Sequence, residues 1–447
     1  MATIATALTR ANRATTRRWP GEPSGRHPVH VVYGGAQLFR ANTPRRLGDL
    51  ALAALNEYAP DARAFAAAVG LAASDLTLVS AIRERVITKL RQEPVEDYRL
   101  DFEDGYGDRA SADEDGHAQS SAREVAGALT GGTLPPFIGI RIKPMSQERY
   151  ARALRTLDLF VTTLVRESGG ALPAPFVVTL PKILTTSHVT AVVRACDALE
   201  RSLRLRAGAI GLELMIETPQ AILGADGTVA VPALVAAGAG RVASVHFGPY
   251  DYTALCGITA AWQRLQHPAC DLARHLIQTA LAQSGVRLSD GPTNLMPVPR
   301  HKAAPGTLLS AAQRRENRAS VHDAWRQHFD DVGHALRAGI FQGWDLHPAQ
   351  LVTRYAALYA FFLSAREAAT TRLRRFIEQA ARATLSGNVF DDAASGQGLV
   401  NFFVRGLECG ALTPSMAEET GLTADELRTR SFLAILDRRA AAAPAGK

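Results

Sequence analysis

The stretch RLDFEDGYGDR, residues 99–109, sets Asp101, Glu103 and Asp104 around the apolar Leu100 and Phe102. Acidic and apolar residues alternate there with the period of a strand, and Asp104-Gly105 closes it with a turn pair. Carboxylates crowded at a strand end repel one another, so a cation, a guanidinium or a hydrogen-bond network has to take up their charge. The chain offers such groups at the ends of later apolar runs: Arg141 in FIGIRIKP, Lys182 in FVVTLPK, Glu217 in IGLELMIETP, Asp251 in ASVHFGPYD, and Asp345 with His347 in IFQGWDLHP. This set suits an oxygen-liganded divalent cation and a carboxylate substrate. Mg²⁺ takes one or two protein carboxylates and leaves its other positions to substrate and water, while an arginine grips a carboxylate through two parallel hydrogen bonds. Each residue also has a plainer reading. Glu217 can cap the next helix, Asp251 can shape a turn, Lys182 can be a solvated loop cation, and His347 a structural hydrogen-bonder. Their occurrence at successive strand ends is what gives them weight.

The elements that must position these residues are legible as eight short apolar runs, at 29–35, 98–105, 137–144, 176–182, 210–219, 243–251, 285–292 and 340–348. Between most of them lie segments of helical period, such as SHVTAVVRACDALERSL at 187–203. Strand and helix alternating eight times predicts an α/β chain folded as a (β/α)8 TIM barrel, in which chemistry sits at the C-terminal strand ends. A doubly wound sheet is the second choice, but YGGAQLF after the first run is not its Gly-rich fingerprint. Residues 1–25 read as a disordered basic tail and 26–351 as the barrel, with a helical insertion at 44–96. Residues 352–447 read as a helical C-terminal extension, broken by the Gly/Asp/Ser-rich SGNVFDDAASGQG at 386–398.

Composition removes several function classes. The 447 residues are 47% hydrophobic and 21% charged, enough for one large domain with an appendage. A net charge of +7 is modest over this length, and QRRENR and RLRR read as solvated helix faces, so no nucleic-acid partner is expected. The net charge remains compatible with anionic small molecules. Four cysteines far apart fit neither a zinc ribbon nor a disulfide framework. No apolar run approaches the length of a membrane span, and the expectation is a cytoplasmic protein. No phosphate-loop lysine motif, G-x-S-x-G or H-E-x-x-H occurs, which leaves nucleotide-cradling, serine-hydrolase and zincin readings unsupported. His322 and His328, six apart, are wrongly spaced to share a metal on one helix face.

Taken in order, DFEDGYGDRASADEDGHAQSSAREV, GIRIKP, VTLPKI, ELMIETPQAI, HFGPYDYTALCG and GWDLHPAQL resemble the ordered blocks of the HpcH/HpaI aldolase and citrate lyase β-subunit-like superfamily, whose members are phosphoenolpyruvate/pyruvate-type TIM barrels. The resemblance covers about residues 95–400. It implies that Glu217 and Asp251 are ligands of Mg²⁺, with Mn²⁺ as the substitute, and that Glu103 and Asp104 hold metal-bound water. It also implies that Arg141 binds the substrate carboxylate. VFDDAASGQGLVNFFVRGLECG resembles the family's C-terminal loop and following helix, which implies Asp392 as the acid/base. That loop sometimes comes from a neighbouring subunit, so a homo-oligomer is expected. Two positions depart from the pattern and bear on substrate choice: Lys143 replaces the usual Asn, and VVYGGAQLF replaces an Arg-Ser entry to the first strand.

The implied chemistry is carbon–carbon bond cleavage or formation beside a carbonyl, through a metal-stabilised enolate of a 2-oxo acid or acyl-CoA-type substrate. Lys182 and the backbone at Gly248 and Pro249 are expected to help orient substrate oxygens, and Asp392 to move the proton. Two alternatives stay open: a phosphoenolpyruvate-binding phosphotransferase, and a non-catalytic oxo-acid-binding protein.

Overall fold

Each apolar run is followed by a helix long enough to carry the chain back to the starting edge, so the runs pair as parallel neighbours. The computed structural model describes residues 2–23, 25–72, 74–378, 384–386, 389–391 and 393–442. Its main sheet comprises β1 (His30–Gly35), β2 (Asp97–Asp101), β3 (Phe137–Arg141), β4 (Phe176–Leu180), β5 (Ile210–Ile216), β6 (Val242–Phe247), β7 (Arg287–Pro292) and β8 (Gln342–Asp345). They pair in sequence order and β8 returns to β1, closing a (β/α)8 barrel. The surrounding helices face it with apolar stripes. In Tyr150–Glu167, Ala153, Leu157, Phe160, Val161 and Leu164 recur at three- and four-residue spacing and are all buried. Ala311–Arg337 begins at a capping box, in which Ser310 and Gln313 satisfy each other's backbone N–H groups.

Both faces of each strand are buried, but they are filled differently. Toward the helices point Leu100, Ile140, Val178, Leu180, Leu212, Leu214, Val245 and Phe247, all with no solvent exposure. Toward the barrel axis point charges. Glu213 of β5 accepts hydrogen bonds from Tyr33 of β1 (3.1 Å), Arg99 of β2 (3.2 Å), Thr179 of β4 (2.7 Å) and Ser244 of β6 (2.7 Å), and Arg99 also pairs with Asp97. Burial alone would raise the Glu213 pKa; Arg99 and these donors instead hold it down at about 2. A buried charge is tolerated only when partnered in this way.

A second buried charge centre lies outside the barrel wall. Asp345 sends its carboxylate toward the helices, where it accepts from His30 Nδ1 (2.8 Å), His328 Nε2 (3.0 Å) and Arg354 Nη2 (2.8 Å). The other nitrogen of His30 accepts from the Glu96 amide, which sets its tautomer. Asp345 therefore ties β1, β8 and two helices together, and it does not reach the mouth where the sequence reading put it. His347 likewise turns back, its Nδ1 accepting from the Ala349 amide at 3.2 Å.

Three helices, Thr43–Tyr58, Ala62–Val69 and Leu76–Gln92, lie between β1 and β2. After β8, Gln350–Glu378 runs on into the extension and packs on Ala393–Glu408; beyond them Phe376 stacks on Phe432 with centroids 5.0 Å apart. Ala2–Arg18, expected as a disordered tail, is an exposed helix, for it is rich in Ala and Arg and has no internal Gly or Pro. The chain after it is anchored where the Gly21 N–H donates to the Gln283 carbonyl at 3.0 Å. Among the described residues no helix is long and apolar enough to cross a membrane, and the four cysteines are unpaired.

Asp345→Asn keeps the shape and leaves the Arg354 guanidinium without its counter-charge, so it should cost about 3–5 kcal/mol at neutral pH in urea melts. Burial would raise the Asp345 pKa, yet Arg354, His30 and His328 hold it well below the usual carboxylate range. Its contribution is thus present above about pH 4 and lost as pH falls through its folded value. The gap between wild type and variant should accordingly shrink below pH 4. Equal stability at pH 7 would show that the charge is not needed.

Candidate active site

At the C-terminal mouth, side chains from five consecutive strands meet. Glu103 and Asp104 follow β2, Arg141 ends β3, Lys182 follows β4, Glu217 follows β5, and Asp251 sits in the first turn of Pro249–Leu255 after β6. Lys182 lies at their centre. Its Nζ pairs with Glu103, lies 3.4 Å from Asp104 and 3.7 Å from Asp251, and its backbone N–H donates to Glu217 Oε1 at 2.7 Å. The lysine reaches this position with φ of 49°, a left-handed backbone uncommon outside glycine. Such strain persists where surrounding contacts enforce it, and here the turn directs both the amide and the ammonium at carboxylates.

Glu217 is released for this role by its neighbours. Thr218, not Glu217, caps the following helix, accepting from the Ala221 amide at 3.2 Å and donating to the Ile183 carbonyl at 2.6 Å. Gly248 makes room: a Cβ there would stand 2.8 Å from Glu217 Oε2. The carboxyl is 2% exposed, and burial, reinforced by Asp251 and Glu103 and opposed by Lys182, pushes its pKa up to about 8. It lacks a full counter-charge. Burial likewise raises Glu103, whereas Asp104 is held low against burial by Arg141 and Lys182.

This donor set fits a hard divalent cation. Among the described residues no three His, Cys, Asp or Glu side chains converge into a cage, but Mg²⁺ needs only one or two protein carboxylates. Glu217 and Asp251 could supply them, and a cation there would offset the burial and the neighbouring carboxylates that raise the Glu217 pKa.

Three sequence expectations change. Arg141 does not hold its fork open for a substrate: its Nε and Nη2 donate to Asp101 at 2.7 and 2.5 Å, leaving Nη1 at 3.0 Å from Glu103 Oε2. The cause is register, which sets Asp101 directly opposite Arg141 on the neighbouring strand. Gly248 is not a free donor, since its N–H bonds to the Ile216 carbonyl at 3.0 Å, and Pro249 has no N–H. The contribution of Gly248 is space. Lys143 is drawn inward to the Phe102 carbonyl (2.7 Å) and Glu114 (3.1 Å). Asp392 lies outside the described residues; Ala393–Glu408 follows it.

Sequence reasoning missed the floor of the site. Tyr33 and Trp344 flank the Arg141 guanidinium, with ring centroids 4.9 and 5.4 Å from Cζ. Beside them His246, pushed down to about 4 by burial, leaves Nε2 without a hydrogen bond, as Trp344 leaves Nε1. The signal was present: Tyr33, His246 and Trp344 occupy the inward phase of their strands.

A family model described as "Domain of unknown function (DUF6986)" matches residues 8–435. No curated protein matches the chain. Among solved structures, a citrate lyase from Burkholderia xenovorans LB400 superposes with a TM-score of 0.56 at 19% identity, over 89% of this chain and 97% of the other. A Haloferax volcanii malate synthase in a magnesium/glyoxylate complex gives 0.46 at 14% identity, over 92% and 97%. The CitE protein of Mycobacterium tuberculosis, with magnesium and acetoacetate, gives 0.38 at 16% identity, over 74% and 90%. The likeness to the citrate lyase is one of fold, a barrel of the type that the sequence blocks imply.

Because its fork belongs to Asp101, Arg141 has a structural role. Arg141→Lys keeps the charge but loses the bidentate pair, and should lower the stability of the ligand-free protein by about 3 kcal/mol. Calorimetric melting checks this. An unchanged melting temperature would return Arg141 to a purely substrate-binding role.

Proposed function

We propose that this chain, which belongs to the DUF6986 family, is a Mg²⁺-dependent carbon–carbon lyase or aldolase acting on a 2-oxo acid or acyl-CoA-type substrate. The observation that carries the reading is the convergence of four carboxylates on Lys182 at the barrel mouth, Glu103, Asp104 and Asp251 on its ammonium and Glu217 on its backbone N–H. Glu217 and Asp251 hold the cation, and Mn²⁺ suits the same oxygen ligands. Bound there, the ion supplies Lewis-acid stabilisation of the negative charge that develops on a carbonyl oxygen when an adjacent C–C bond breaks.

The chain's own groups do the remaining work. Lys182 presents a positive charge to the substrate carboxylate, and Arg141 adds its Nη1 edge. Glu103 keeps both cations in place, accepting from Lys182 Nζ and lying 3.0 Å from Arg141 Nη1. Tyr33 and Trp344 wall the floor and exclude water, which strengthens every charge interaction above them. Asp392, which precedes Ala393–Glu408 in the sequence, moves the proton, from the same or a neighbouring subunit of a homo-oligomer. The seven carboxylate and cationic groups named here would also suit phosphoenolpyruvate, so a phosphoryl-transfer product is the alternative to look for.

Titrating Mg²⁺ calorimetrically into Glu217→Gln and Asp251→Asn should show binding lost in both, while Glu103→Gln weakens it by roughly ten- to hundredfold. Unchanged affinity in both ligand variants overturns the metal assignment. A panel of 2-oxo acids, aldehydes and acyl-CoAs with Mg²⁺ should yield a cleavage or condensation product. Binding without turnover would support the non-catalytic reading instead.

Asn caps a helix about as well as Asp but cannot carry a proton. Asp392→Asn should therefore melt normally and bind Mg²⁺ normally while losing turnover. Full turnover would leave Asp392 only a capping role.

A further inference from the structure

At the end of the barrel opposite the mouth lies a cavity of about 200 Å³, large enough for a small molecule rather than a single water. Its walls are the first residues of β7 and β8, Arg287 and Gln342, with Phe341 beside them. It is closed by Glu22 and His27 of the N-terminal segment and by Arg405 of Ala393–Glu408.

The lining carries more positive charge than it neutralises. Arg405 pairs with Glu22 and with Glu408 (3.3 Å) and donates to His27 Nδ1 at 2.7 Å. Arg430 draws on the same Glu408. Among the described residues Arg287 has no carboxylate within 4.0 Å and no hydrogen bond. Its guanidinium lies over the Phe137 ring, 5.5 Å from the centroid. The nearest interior acids, Asp97 and Glu213, are engaged by Arg99. His27 adds no further positive charge, because burial, with Arg405 and Arg287 nearby, holds it neutral with a pKa of about 4. At the wall itself two guanidiniums, Arg287 and Arg405, thus face one carboxylate, Glu22, which Arg405 already engages. Two buried polar atoms at the wall, Arg287 Nε and Gln342 Oε1, are also without partners. The Arg287 side chain is partly buried, a charge drawn out of water without a partner is costly, and a water molecule in the cavity solvates it without neutralising it.

We propose that this cavity is a binding site for a small oxyanion, a phosphate or a short carboxylate, held chiefly by Arg287 with Arg405 on the opposite wall. A planar guanidinium with open N–H groups matches either anion through paired hydrogen bonds. Glu22, also at the wall, opposes binding and limits affinity. The site is independent of the chemistry at the mouth and joins three parts of the chain: the barrel floor, the N-terminal segment and the extension.

The full-length protein, in phosphate-free buffer at fixed ionic strength, is titrated with inorganic phosphate and separately with malonate, by calorimetry and by melting temperature. One saturable site is expected, and the tighter anion identifies the ligand class. Arg287→Gln should weaken it by roughly ten- to hundredfold, the effect of losing a charge-assisted hydrogen bond. Arg287→Lys, which keeps the charge if the glutamine variant fails to fold, should weaken it less, and Glu22→Gln should tighten it. Glu217→Gln, at the mouth, should leave it unchanged. Absence of saturable binding to wild type, wild-type affinity in both Arg287 variants, or loss of binding in Glu217→Gln would each overturn the proposal.

Discussion

The contact on which the mouth depends is the bidentate pair between Asp101 and Arg141, on adjacent strands inside the barrel. It fixes the plane of the guanidinium, which Tyr33 and Trp344 then flank. One edge remains, and it faces Glu103; Glu103 holds Lys182, and Lys182 approaches Asp104 and Asp251. A buried ion pair contributes little net stability over an apolar replacement, because desolvation offsets the attraction. What it supplies here is position. Each charge in the series is held by the one below it, and removing the lowest leaves the others without a fixed reference.

The same logic runs the length of the barrel. Its interior is filled by charges and hydroxyls that meet across strands, while the apolar packing lies between strands and helices. Glu213 and Arg99 hold the middle. Above them carboxylates are in excess around Lys182, and below them guanidiniums are in excess around Arg287. The barrel is therefore electrostatically polar: the mouth calls for a cation, and the floor for an anion. The opposite demands follow from which partners are already committed at each end.

Local chain geometry supplies the exceptions that the mouth needs. Thr218 takes over helix capping and so frees Glu217. Gly248 gives up a side chain so that Glu217 has room, and Lys182 adopts a left-handed backbone to serve two carboxylates at once. Each departs from what an ordinary loop would choose, and all three surround one buried carboxyl whose charge is not fully met.

The sequence by itself determined the alternation of strand and helix, the eight-stranded barrel and the group of polar residues at its mouth. Those features rest on local periodicity, and in a parallel barrel strand direction alone sends every strand end to the same side. It left open which face of a strand a residue occupies and which partner it meets there. Asp345 and Glu103 both end acidic strands, yet one turns outward to His30, His328 and Arg354 and the other inward to Lys182. Arg141 meets Asp101, forty residues away, only because the stagger between β2 and β3 sets them opposite. Facing and register are decided when the sheet closes on itself, since a shift of one residue exchanges the two faces. No residue carries that information alone.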